Sequence, residues 1–67
     1  MRQLRSIELT PEEVEALRLK DVKDYDQEKA AKMMNTSQST FQRIISSAHK
    51  KVSQAVIEGK AIRINKK

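Results

Sequence analysis

The sequence predicts an all-α fold of three helices, the third far longer than the others. Three observations carry this. Phe41, Ile44, Ile45, Ala48, Val52, Ala55 and Val56 recur at steps of three, four and one, the spacing of a single helical face. Residues suited to capping a helix stand at three points, Thr10, Asp26 and Ser37, each just ahead of a helical pattern. The punctuation is sparse, with one proline and one glycine in 67 residues and no internal repeat.

The elements follow in order. Residues 4–9 alternate apolar and polar, as a short strand would. Thr10-Pro11-Glu12-Glu13 is then a strong helix start. Thr10 caps, Pro11 suits the first helical position, and Glu13 stands three residues on, as a capping box requires. Helix one is expected over 11–22, with Val14, Leu17 and either Leu19 or Val22 as its apolar face. A short connector ends at Asp26, the cap of a second helix over 27–34, on which Glu28 and Lys32 form an i, i+4 pair. Asn35 tolerates the left-handed conformation that ends a helix, and Ser37 caps helix three, expected over 38–58 and stopped by Gly59. Residues 61–64 alternate again. The two terminal segments pair with each other, pair across two subunits, or fray as coil. Residues 65–67 are expected to be a mobile basic tail.

Size and composition restrict the function. A chain of 67 residues is one domain, and so short a chain buries only about 60% of its unfolded surface, so a monomer is expected to be marginally stable. Without cysteine there is no disulfide, thiolate metal site or cysteine catalysis. No nucleophile–base pair, metal cluster or phosphate loop is present, so no catalytic residue, metal or cofactor is expected and the chain reads as a binding module. No apolar run approaches a membrane span and no signal peptide is visible, which places the expected location in the cytoplasm. The charge is uneven. Up to Glu28, five bases face eight acids, a net of −3; beyond it, nine bases face Glu58 alone, a net of +8. A basic half joined to an acidic half suits an oriented polyanion partner.

Residues 27–46, QEKAAKMMNTSQSTFQRIIS, meet three independent demands of a helix-turn-helix. Ala31 is small where the helices touch. Asn35, four residues later, accepts positive φ. Phe41 and Ile44 are inward anchors on the second helix, and Ala30 and Met34 oppose them. Helix one then walls a tri-helical core. The outward positions of helix three are polar. Gln38, Ser39, Gln42, Arg43 and Ser46 are the expected base contacts, since glutamine pairs with adenine and arginine with guanine in a major groove. Ser37, Thr40, Lys50 and Lys51 are the expected backbone contacts. No acid lies between Lys29 and Val56, so nothing on this face is expected to repel DNA.

Further stretches resemble a small uncharacterised prokaryotic family of predicted DNA-binding proteins, whose helix-turn-helix is similar to region four of sigma factors. The resemblance runs from Leu9 to Leu19 (LTPEEVEALRL), then through Gln27 to Ala31, Ser37 to Ile44, Ala48 to Val52, and Glu58 to Ile64. TFQRI followed by EGKAIRI is its specific part. Asn35 departs from it, standing where the family usually has glycine, and the N-terminal extension and cysteine-bearing tail of many relatives have no counterpart here. The resemblance implies a regulator of transcription that binds double-stranded DNA. The alternative is a sigma-like adaptor contacting RNA polymerase through the acidic face of helix one, with Glu12, Glu15 and Asp21.

Other residues read more plainly. His49 suits a boundary or surface position, Met33 and Met34 core filling, Tyr25 packing, and Glu12, Glu13 and Glu15 a solvated, capping first turn. Val52, Ala55, Val56 and Ile57 outrun the tri-helical core and need cover from the terminal strands or a second subunit. A homodimer is expected, matching a two-fold operator with half-sites about 34 Å apart.

Overall fold

A computed structural model describes residues 5–65. Strand β1 (Ser6–Leu9) leads into helix α1 (Pro11–Leu17), which continues through a widened π-helical turn, Arg18–Val22. Helix α2 (Gln27–Met33), helix α3 (Gln38–Glu58) and strand β2 (Ala61–Ile64) complete the chain. Leu4, Lys66 and Lys67, expected in the first strand and the tail, lie outside the described residues.

The helix starts form as their chemistry demands. The Thr10 hydroxyl accepts from the Glu13 N–H at 3.1 Å while the Glu13 carboxylate accepts from the Thr10 N–H at 2.9 Å, a closed capping box. The Asp26 carboxylate accepts from the Lys29 N–H, and the Ser37 hydroxyl from the Thr40 N–H. The stops form likewise. Asn35 sits at φ 59°, the Thr36 N–H donates to the Ala31 carbonyl, and the Asn35 N–H donates to Lys32, so α2 closes as a Schellman turn. Gly59, at φ 65°, ends α3. Asp24 also adopts positive φ, at 61°, within a connector that offers no glycine.

Two features of the first helix differ from its periodicity. Ala16 and Leu19 are its fully buried residues, whereas Val22 is 75% exposed and Val14 and Leu17 are half-buried. The Lys23 N–H reaches back five residues to the Arg18 carbonyl, so the last turn carries an extra residue and the side chains after Leu19 leave the α-helical stripe. The core proper is Ala16, Leu19, Ala30, Ala31, Phe41 and Ile45, with Leu17, Tyr25, Met34 and Ile44 packed around it. Met33, by contrast, is on the outside.

The fold is mostly helical but not purely so. β1 and β2 pair in parallel within the chain, Ser6 beside Ala61 and Leu9 beside Ile64. Parallel neighbours need a long crossover, and the three helices supply it. Asn65, expected as the start of the tail, still donates its N–H to the Leu9 carbonyl. The Lys51 ammonium donates to the Glu8 carbonyl, about two turns before the end of α3, so the strands run back along the last turns of that helix. They bury Leu9 and Ala55 but leave Val56 and Ile57 bare.

Candidate nucleic-acid interface

At 1.5 Å per residue, α3 is about 31 Å long. Its inward row, Phe41, Ile45 and Ala48, is buried against α1 and α2. Ser39, Arg43, Ser46 and Lys50 stand at steps of four, three and four, so they form one straight row, and all four are exposed. Gln38 and Gln42 flank the row and are exposed too. The Gln42 amide donates to the Ser46 hydroxyl at 2.9 Å, a surface bond that another acceptor can replace. Among the described residues, Arg43 and Lys50 have no ion-pair partner.

The turn before α3 gathers polar hydrogens. The Ser37 hydroxyl donates to the Thr40 hydroxyl at 3.0 Å and lies 3.4 Å from that of Ser39. The Gln27 amide of α2 meets the Gln38 carbonyl at 3.4 Å, which ties the start of α2 to the start of α3. Two further exposed cations stand on α2, outside the set expected from α3. Lys29 sits 4.4 Å from the centroid of the Tyr25 ring, a cation–π contact. Lys32 is exposed and, among the described residues, unpaired, so the expected i, i+4 pair with Glu28 does not form. The charge jump after Glu28 was the signal that could have found them.

Lys51 faces elsewhere. Its ammonium lies 2.9 Å from Glu13 Oε1 and 3.0 Å from the Glu8 carbonyl, on the flank of α3 that meets α1 and β1. It does not join the exposed row. Glu13 is the second surprise, for it is not solvated but 6% exposed. Its carboxylate also accepts from the Ser47 hydroxyl at 2.6 Å, so one side chain of α1 holds two successive turns of α3. Burial by itself would raise the Glu13 carboxyl, but the hydrogen bonds from Lys51, Ser47 and Thr10 outweigh it and hold it below the usual carboxylate range. Glu13, Ala16 and Leu19 fall at steps of three on the buried face, a stripe that becomes visible once Ala16 is counted as core.

A cleft of about 490 Å³ opens between the start of α1 and the early turns of α3, lined by Thr10, Glu12, Glu13, Thr40, Arg43, Ile44 and Ser47. It corrects one expectation. α3 has no acid of its own before Glu58, yet the fold brings two α1 carboxylates to the cleft that Arg43 also lines. Lys51 neutralises Glu13. Glu12 has no such partner among the described residues, so it sets a negative edge beside the row. His49, at the opposite flank, lies 2.7 Å from Asp21 with both side chains about half-exposed, the boundary role expected of it. Among the described residues, no helix is long and apolar enough to cross a membrane.

Residues 2–66 match the family model described as "Protein of unknown function DUF134". Curated relatives carry the name UPF0251 protein. One from Clostridium beijerinckii is 54% identical over 63 residues, covering 94% of this chain and 43% of its own length. One from Thermoanaerobacter pseudethanolicus is 52% identical over 64 residues, covering 96% of this chain and 54% of its own. A third, from Halothermothrix orenii, is 47% identical over 62 residues, covering 92% and 46%. The chain thus spans about half the length of the curated relatives it matches. No solved structure matches it.

Proposed function

The chain belongs to the DUF134 family, a family of proteins of unknown function, and from that premise we propose a role read from its own residues. It is a sequence-specific binder of double-stranded DNA that regulates transcription. α2, the Asn35 turn and α3 act as its helix-turn-helix, with residues 38–46 of α3 in the major groove. The observation that supports this most is the exposed row Ser39, Arg43, Ser46 and Lys50, which lies opposite the buried row of the same helix and bears two unpaired cations.

Each residue then has a role. The Arg43 guanidinium donates in a fork to the two acceptors of guanine, and the Gln38 and Gln42 amides pair with adenine. Ser39 and Ser46 offer hydroxyls to either kind of base. Ser37, Thr40 and the unsatisfied N–H groups at the start of α3 meet phosphates, with Lys50 on one side and Lys32 of α2 on the other. Lys51 leaves this set, because a phosphate would have to displace the Glu13 carboxylate from it.

Selection of bound duplexes from a random pool, followed by titration of variants at several salt concentrations, tests the reading. Arg43→Ala is expected to weaken binding to the selected sequence by about 1–3 kcal/mol and to relax the preference at one base pair. Lys50→Ala weakens binding to every duplex alike and lowers the salt slope by about one. Lys51→Ala leaves the salt slope unchanged and lowers the melting temperature instead. A pool that yields no preferred sequence, or an Arg43→Ala loss equal on all duplexes, refutes the base-reading role.

A further inference from the structure

The far end of α3 presents apolar surface that its own chain does not cover. Val56 is 72% exposed, and on β2, which packs along this end of α3, Ile62 is 43% and Ile64 53% exposed; Ile57, 82% exposed, stands seven residues after Lys50 and so continues the row of Arg43 and Lys50, on the side away from Ala55 and the strands. Among the described residues β2 has a neighbour on one side only, so its other edge is open to pairing. We infer that a second copy of this chain docks on this end, β2 edge and α3 tip together, to form a two-fold homodimer.

Three observations favour a copy of the same chain. An open strand edge is self-complementary: about a two-fold axis, two β2 strands meet antiparallel, and each patch faces its own image. The charges there are nearly balanced. Glu58 is paired with Lys60 at 2.8 Å, and Glu8 stands beside Arg63 in the ladder, with Arg5 next to it. The exposed row around Arg43 and Lys50 has no such balance, and two copies meeting there would repel. The third observation rests on the duplex-binding reading. About 21 Å of helix separates Arg43 from Ile57 at 1.5 Å per residue. Two such arms joined at their tips reach about 34 Å between reading turns when they open to roughly 110°, which is one turn of B-DNA along one face.

Sedimentation of the full chain at tens of micromolar, without DNA, tests the inference. The expected species has twice the 7.7 kDa chain mass. Val56→Glu and, separately, Ile64→Ser are expected to return it to 7.7 kDa with an unchanged helical circular dichroism signal, since both side chains are exposed in the single chain. A wild-type chain that sediments at 7.7 kDa overturns the inference, and so does a dimer that both variants leave intact. Footprinting on a selected duplex separates this from the function itself. A dimer without DNA binding keeps this interface and removes the proposed function, whereas a monomer that reads a single half-site does the reverse.

Discussion

Around Phe41 and Ile45, α3 is enclosed by α1 and α2, and both side chains are all but inaccessible. Around Val56 and Ile57, the same helix stands clear of everything except two short strands. The first region holds its shape by close packing of Ala16, Leu19, Ala30, Ala31, Phe41 and Ile45. The second holds it by one buried alanine, one buried leucine and a parallel ladder of four residue pairs. One helix therefore serves as a core wall at one end and as a projecting arm at the other. Its polar row lies over the rigid end, where packing fixes side-chain positions as the proposed reading of a duplex would demand. Its bare apolar tip lies at the end with the least internal support.

Substitutions can test how different the two ends are. Phe41→Ala removes the largest fully buried side chain and is expected to cost about 3–5 kcal/mol, most of the stability a chain this short can hold. Chemical denaturation would show it, and a loss under 1 kcal/mol would mean that the enclosed end is not the main support of the fold. Ile57→Glu at the other end should change monomer stability by less than about 0.5 kcal/mol, since surface exchanges away from special features do little.

Glu13→Gln probes the join between the two ends. It keeps the shape of the side chain but weakens the bonds to Lys51 and Ser47, at an expected cost of about 1–2 kcal/mol. The pH dependence gives the sign. The folded carboxyl sits below its ordinary value of 4.5, so its contribution is present above about pH 4.5 and disappears as the pH falls below that. The difference in stability between wild type and Glu13→Gln should shrink on acidification through that range. A difference that stays constant down to pH 3 would show that the charge contributes nothing. Asn35→Ala is expected to lose about 1 kcal/mol from forcing an alanine to φ 59°, whereas Asn35→Gly is not destabilising.

Much of this architecture was legible beforehand because its causes lie within a few residues. Thr10 with Glu13, Asp26 with Lys29 and Ser37 with Thr40 are contacts three residues apart, so the cap positions are visible in the string itself. Asn35 and Gly59 mark stops by their backbone tolerance alone. The exposed face of α3 followed from its period. The π-helical turn was not legible, since its extra residue breaks the helical period, and the period alone does not choose between Leu19 and Val22.

The sequence by itself determined where each helix starts and stops, which side of α3 is polar, and that positive charge gathers after Glu28. Local hydrogen bonding and helical period suffice for all of these. Only the tertiary structure decided that Glu13 is buried against Ser47 and Lys51, 34 and 38 residues away, that Glu12 comes to the cleft Arg43 lines, and that the two strands pair in parallel. Those outcomes depend on how α1 crosses α3. Packing of the whole core sets that crossing, and no short window of residues contains it.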